Sequence, residues 1–126
     1  MKLRIKGNSL RFRVSRSETA RLMQTGRIAE TIHFTPSDDA KLTYALEHSV
    51  AQTEMSVQYR PQEVTVTLST EEARRWSEGD QVGLYCEFAI GDKVLAVLVE
   101  KDFACLDGSD AENEDSFENP KHSADD

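Results

Sequence analysis

Basic and apolar side chains alternate along the first fourteen residues, and this spacing is the clearest chemical feature of the sequence. The basic positions are Lys2, Arg4, Lys6, Arg11 and Arg13. Side chains two residues apart share one face of a β-strand. Leu3, Phe12 and Val14 fall on the alternate positions, so the pattern predicts a hairpin with one apolar and one basic face. Gly7-Asn8 is the expected turn.

A concentration of like charge on one face favours binding of an anion. Arg16 extends the patch, so the predicted polyanion-binding residues are Lys2, Arg4, Lys6, Arg11, Arg13 and Arg16. A phosphate backbone suits such a surface because each neutralised phosphate releases counterions. The predicted partner is a nucleic acid or an acidic protein surface. A basic strand face that meets only solvent is the alternative reading.

The charge distribution limits the nucleic-acid interpretation. The formal net charge is −8, with ten Lys/Arg and six Asp/Glu in residues 1–60 against five and seventeen in residues 61–126. This overall charge opposes long-range attraction to nucleic acid. The second half offers non-basic side chains on its corresponding hairpin, at Glu54, Ser56, Gln58, Thr65 and Thr67. A two-fold reader of palindromic DNA sites is therefore disfavoured.

Enzymatic chemistry has little support in the sequence. His33, His48 and His122 are isolated in the sequence. The sequence contains no G-x-S-x-G nucleophile motif, no Walker phosphate-binding loop and no H-E-x-x-H zinc motif. Glu47 and Glu100 occupy equivalent places in the two halves, which leaves open a small carboxylate-based enzyme or metal site. We expect a binding module without enzymatic activity, cofactor or metal. The other alternative is a protein-interaction or adaptor domain that uses Trp76, an exposed strand or the C-terminal tail.

Composition predicts a cytoplasmic protein without a membrane span. The 126 residues are 38% hydrophobic and 30% charged, and no apolar run approaches the roughly 20 residues that a membrane helix needs. The N-terminus has no apolar stretch typical of a signal peptide. Cys86 and Cys105 form no ligand or redox motif, and Cys86 is expected to be a buried, inert thiol.

Two halves of the chain share the element order β-β-α-β-β, which predicts a duplication with repeats of about 1–50 and 54–103. A helix follows the second strand of each half, from Ser15 to Gly26 and from Ser69 to Gly79, with a serine cap and a terminal glycine. Met23 and Trp76 are placed alike on these helices and are expected to fill the core at the barrel ends. An exposed apolar spot for a partner protein is the alternative reading for them.

The first hairpin resembles a known family. Lys6-Gly7-Asn8-Ser9-Leu10-Arg11-Phe12-Arg13-Val14 is similar to the opening of MazE/AbrB-like domains, over about residues 2–47. That resemblance implies a swapped-hairpin barrel that binds DNA. The second half lacks the motif, because Arg60-Pro61-Gln62-Glu63 stands in its place. The whole chain also resembles a family of short bacterial proteins of unassigned function.

The predicted fold class is mainly β (α+β): two tandem β-β-α-β-β repeats in residues 1–103 that form a single-chain, swapped-hairpin-like β-barrel with two short helices. An open α+β sheet with helices on one side is the alternative. Residues 104–126 are predicted to be a disordered acidic tail because they contain eight Asp/Glu and few apolar side chains. This tail would either compete for the basic face or serve solubility. A monomer and a dimer are both compatible with the sequence.

Overall fold

The structure is a computed structural model that describes residues 1–103 together with Asp115 and Phe117. It is mainly β, as predicted, with eight strands and two helices in this part of the chain. The elements in order are β1 (Lys2–Lys6), β2 (Ser9–Val14), α1 (Arg16–Thr25), β3 (Arg27–His33), β4 (Lys41–Ser49), β5 (Ser56–Arg60), β6 (Glu63–Ser69), α2 (Thr70–Glu78), β7 (Gly83–Ile90) and β8 (Lys93–Lys101).

The strands form two four-stranded sheets with matching strand orders. Sheet 1 has the order β1-β2-β8-β7, and sheet 2 has the order β3-β4-β6-β5. Consecutive strands pair antiparallel as hairpins, whereas the central pairs β2–β8 and β4–β6 are parallel. Each sheet therefore takes one hairpin from the first half of the chain and one from the second.

The chain divides into two units, each with one sheet. Unit 1 consists of Met1–Thr19 and Val82–Asp126 and contains sheet 1. Unit 2 consists of Ala20–Gln81 and contains sheet 2 and α2. The boundary between the units falls within α1.

The strand pairing corrects the expected architecture. In residues 1–103 the strands form two separate sheets and no closed barrel, because β1 and β7, like β3 and β5, are edge strands with one partner each. The alternative of a single open sheet is wrong for the same reason. The predicted disordered tail, residues 104–126, lies outside the described residues except for Asp115 and Phe117.

Sheet 1 has a buried apolar face because its central strands β2 and β8 carry alternating apolar side chains. Phe12, Val14, Val97 and Val99 are fully buried. Their neighbours in sequence on β2, Arg11 and Arg13, must then lie on the opposite face. The predicted division of the first hairpin into an apolar and a basic face therefore agrees with the packing of β2.

Local capping interactions set the helix ends. In α1 the Ser15 amide donates to Glu18 Oε1 at 3.0 Å and the Glu18 amide donates to Ser15 Oγ at 3.4 Å, which is a capping box. Gly26 ends the helix with a φ of 86°, a left-handed conformation that glycine adopts without steric cost. In α2 the Glu72 amide donates to Ser69 Oγ at 3.1 Å.

The burial of Trp76 and Met23 differs, although the sequence predicts equivalent positions for them on the two helices. Trp76 is fully buried, so it cannot be an exposed contact for a partner protein. Met23 is only half-buried, and Leu22 is the fully buried residue on α1 instead. The helix register explains this difference, because Leu22 and Trp76 both lie seven residues after their capping serines.

Cys86 lies on β7 and is half-buried rather than fully buried, because β7 is an edge strand. Cys105 lies outside the described residues. In the described part of the chain, neither helix is long and apolar enough to cross a membrane.

We expect Trp76→Ala to lower the free energy of unfolding by about 3–5 kcal/mol, because it leaves a large cavity beside α2. Urea unfolding followed by circular dichroism measures this loss. The matched control is Arg74→Ala, an exposed position on the same helix, which should change stability by no more than about 0.5 kcal/mol. Equal effects of the two substitutions would contradict the placement of Trp76 in the core.

Candidate anion-binding site

The register of the first hairpin brings its basic residues together on one face of sheet 1. Lys2 lies opposite Arg13, Arg4 opposite Arg11, and Lys6 opposite Ser9. Directly opposed residues in an antiparallel pair point to the same side of the sheet. The five predicted hairpin cations therefore share a face, and Ser9 joins them.

Glu100 on β8 is a countercharge within this face. The parallel register places it opposite Arg13. Its Oε1 accepts hydrogen bonds from Arg11 Nε at 2.5 Å and from Arg13 Nε at 2.9 Å, and the residue is only 8% exposed. Burial by itself raises the pKa of the Glu100 carboxyl, but the bonds from the two arginines outweigh burial and hold that pKa below its usual value.

A second acid lies near the start of β1. Lys2 Nζ is 3.1 Å from Asp102 Oδ2, which directly follows β8. Lys2 is largely exposed, so this ion pair contributes little to stability. Three of the five hairpin cations therefore have carboxylate partners: Lys2, Arg11 and Arg13.

The other two hairpin cations border a hollow. Arg4, Lys6, Ser9 and Arg11 line a depression of about 220 Å³. Arg4 and Lys6 are exposed and form no ion pair with any described residue. Ser9 Oγ donates to the Lys6 carbonyl at 2.6 Å, which holds the turn beside the hollow. We call this group, Arg4, Lys6, Ser9 and Arg11, the cationic hollow.

The remaining predicted site residue, Arg16, is not on either strand of the hairpin. It is the first residue of α1, and its backbone amide donates to the Asp115 carbonyl at 3.1 Å. The binding role of all six predicted residues stays a prediction. The structure divides them into two exposed cations that pair with no described acid, three ion-paired cations and one helix residue.

Sequence reasoning missed the acids of this face but had a signal for Ser9. Alternation along β2 places Ser9 on the same side as Arg11 and Arg13. Glu100 and Asp102 had no local signal, because they reach the hairpin only through the long-range pairing of β2 with β8.

Glu47 and Glu100, proposed above as a carboxylate pair, each have partners within their own sheet. Arg27 in unit 2 bridges two acids: it contacts the Glu47 carboxylate through Nη1 and donates from Nη2 to Glu63 Oε1 at 2.8 Å. The Arg27 hydrogen bond lowers the pKa of the Glu63 carboxyl. Among the described residues, no group of three or more His, Cys, Asp or Glu is arranged to hold a metal ion.

The two histidines in the described part of the chain, His33 and His48, do not share a site. His48 Nδ1 lies 2.9 Å from Thr70 Oγ1 and His48 Nε2 lies 3.1 Å from the Leu22 carbonyl, so its ring links α1, α2 and β4 within unit 2. His33 is exposed at the end of β3, and His122 lies outside the described residues.

We expect Glu100→Gln to lower the free energy of unfolding by about 1–3 kcal/mol at neutral pH, because two arginines lose a buried charged acceptor. The pKa of Glu100 is lower in the folded chain than in the unfolded chain. Its contribution is therefore present above the unfolded-state value of about 4.3 and is lost as pH falls through the folded-state value. Urea unfolding at a series of pH values measures this dependence.

The difference between the wild-type chain and Glu100→Gln should shrink as the solution becomes more acidic. Glu78→Gln removes an exposed carboxylate and should stay within about 0.5 kcal/mol of the wild type. A loss of stability in Glu100→Gln that is the same at every pH would show that the ion pairs are not its cause.

Comparison with known proteins places the chain in a family. Residues 1–121 match the profile of DUF7009, a family of unknown function. Neither the curated proteins nor the solved structures provide a match, so the resemblance of the first hairpin to MazE/AbrB-like domains is not confirmed. Because the matched region covers nearly the whole sequence, the chain belongs to the DUF7009 family.

Proposed function

We propose that this protein is a non-enzymatic, cytoplasmic binding module that holds a phosphate-bearing polyanion on the basic face of β1 and β2. The observation that carries the proposal is the cationic hollow. Arg4, Lys6 and Arg11 surround it, and no described acid neutralises Arg4 or Lys6. DNA or RNA is the form of polyanion to test first.

The ion pairs with Glu100 position the arginines without using up their donors. Arg11 and Arg13 each donate to Glu100 through Nε. A guanidinium group has five N–H donors, and its terminal nitrogens match phosphate oxygens in a bidentate geometry. Holding a long side chain in place before the ligand arrives lowers the entropic cost of binding. Glu100 thus orders the arginines while also reducing the positive charge of the face.

The positions of the cations suit a linear ligand. Lys2, Arg4 and Lys6 follow one another at every second residue of β1, about 6.7 Å apart along the strand. Arg11 and Arg13 form a parallel row on the neighbouring strand. Two adjacent rows of cations match the repeated charges of a polymer better than the single charge of a small anion.

We also propose that the two halves of the chain arose by duplication. Ser69 follows Ser15 by 54 residues, and Trp76 follows Leu22 by the same interval. The turns of the β1–β2 and β5–β6 hairpins accept equivalent hydrogen bonds from the neighbouring parallel strands. The Ala96 amide of β8 donates to the Asn8 carbonyl at 3.2 Å, and the Thr43 amide of β4 donates to the Gln62 carbonyl at 2.7 Å. The matching strand orders of the two sheets support the same conclusion.

The two sheets differ in charge on the corresponding face, which favours one binding site rather than two. In unit 2, positions Thr65 and Thr67 match Arg11 and Arg13, and both threonines are buried. The charges there are one cation, Arg27, paired with two acids, Glu47 and Glu63, so they present no excess of positive charge. Only sheet 1 carries a row of cations, so the proposal predicts binding to one segment of polymer.

We expect Arg4→Glu/Lys6→Glu to abolish most binding to labelled duplex or single-stranded oligonucleotides. Fluorescence anisotropy over a salt series is the measurement. Loss of about two phosphate contacts should also lower the slope of log affinity against log salt by about two. The matched control is Arg21→Glu/Arg60→Glu, which changes the net charge equally at exposed positions of unit 2. Equal losses in both variants, or no binding by the wild-type chain at low salt, would refute the proposal.

We further expect Glu100→Gln to strengthen binding to the same oligonucleotides, because it removes a negative charge from the basic face and leaves Arg11 and Arg13 unneutralised. The expected gain is about threefold to tenfold at low salt and falls as salt increases. Glu47→Gln makes the same change beside Arg27 in unit 2 and should leave affinity nearly unchanged. Weaker binding by Glu100→Gln would mean that ordering of the arginines by Glu100 matters more than its charge.

A further inference from the structure

Asp115 occupies the N-terminus of α1 from far along the chain. The first amides of a helix have no partner within it. The Arg16 amide donates to the Asp115 carbonyl at 3.1 Å, and the Ser17 amide donates to Asp115 Oδ1 at 3.0 Å. The Ser17 hydroxyl also donates to Asp115 Oδ2. Asp115 therefore satisfies the two amides that the Ser15–Glu18 capping box leaves over.

The carboxylate is held as an anion. The hydrogen bond from Ser17 lowers the pKa of the Asp115 carboxyl, with further donation from Ser15 and the charge of Arg16 nearby. A negative charge at a helix N-terminus is also favourable with respect to the helix dipole.

Phe117 provides a second contact two residues further on. Its amide donates to the Asp102 carbonyl at 2.8 Å, and it forms an isolated parallel bridge with Phe103. The Phe103 and Phe117 rings meet edge to face with centroids 6.3 Å apart. Lys101 Nζ lies 5.2 Å from the centroid of the Phe117 ring, within the range of a cation–π contact.

We propose that Asp115 and Phe117 form a two-point anchor that holds the acidic segment, residues 107–126, against unit 1, and that this segment competes in cis with a polyanion for the basic face. The segment carries eight Asp/Glu and one Lys. The competitor role rests on the proposed function, whereas the anchor does not depend on it.

The anchor lies at the end of the basic face. The Asp102 amide donates to the Val14 carbonyl at 2.9 Å, and the Asp102 carboxylate pairs with Lys2. Arg13 and Arg11 are one and three residues from Val14 along β2, which corresponds to about 3 and 10 Å. Because the Phe117 amide donates to the Asp102 carbonyl, the anchor meets unit 1 beside this end of β2, where any charge within a Debye length, about 8 Å at physiological salt, acts on the basic face.

The contacts of the anchor suit reversible release. They comprise surface hydrogen bonds and one aromatic side chain that is only half-buried. A ligand with dense negative charge would replace the carboxylates of the segment without breaking the core of unit 1. A ligand would therefore bind only if its interaction with the basic face is more favourable than that of the acidic segment.

Hydrogen exchange followed by NMR on the full chain tests the anchor. Phe117→Ala weakens the anchor without changing the charge of the acidic segment. Its effect therefore reports release of the segment from unit 1 and not the loss of a carboxylate. We expect the Arg16 and Ser17 amides to exchange about tenfold faster in Phe117→Ala and in Asp115→Ala than in the wild type. Asp125→Ala removes the same charge outside the anchor and should leave both amides unchanged. Unchanged exchange in the two anchor variants would refute the anchor, whatever the ligand.

Anisotropy with the same oligonucleotides then tests competition. We expect Phe117→Ala to bind about fivefold more tightly than the wild type at low salt, with the difference vanishing near 1 M salt. Faster exchange with unchanged affinity would refute competition, and the proposed function would stand if Arg4→Glu/Lys6→Glu still loses binding. Absence of binding by every variant would refute the proposed function and competition together but leave the anchor supported.

Discussion

The parallel pairing of β2 with β8 is the constraint on which unit 1 depends. It joins residues that lie about ninety positions apart, from Ser9 with Ala96 to Val14 with Lys101. One face of the pair buries Phe12 and Val99, and the other brings Glu100 beside Arg13. A shift of one residue would turn every side chain of β8 to the opposite face and remove both the core contacts and the ion pair.

Glu47 and Glu100 occupy equivalent positions in the two sheets but pair with arginines on different strands. The residue opposite each glutamate on the edge strand explains the difference. Arg27 lies opposite Glu47 on the edge strand of sheet 2, whereas Gly83 lies opposite Glu100 in sheet 1. A Cβ atom at Gly83 would come within 2.9 Å of the Val99 carbonyl oxygen and 3.1 Å of Glu100 Cβ. No side chain fits there, so Glu100 takes its partners from β2, and the basic hairpin is tied to its own countercharge.

The features of this structure that the sequence predicts are those that depend on residues close together in the chain. Alternation located the strands, and Ser15, Gly26 and Ser69 located the helix ends, because each signal acts within a few residues. The sheet partners were not predictable from a single sequence, since no local pattern states which hairpin meets which. For the same reason the basic face was foreseen at Arg11 and Arg13 but its acid, Glu100, was not. The prediction that Met23 is the α1 counterpart of Trp76 failed by one residue, which is enough to move a helical side chain by about 100° around the axis.

A negative net charge is compatible with the proposed binding of a polyanion because the charges are separated along the chain. Eight of the acids lie in residues 107–126, while the first hairpin carries five cations against Glu100 and Asp102. Electrostatic attraction at a surface is decided mainly by charges within about a Debye length. On the proposal of a two-point anchor, a ligand competes with carboxylates that are already tethered at high effective concentration. Such competition discriminates by charge density: a polymer that presents several phosphates at once can displace the segment, whereas a single phosphate group cannot.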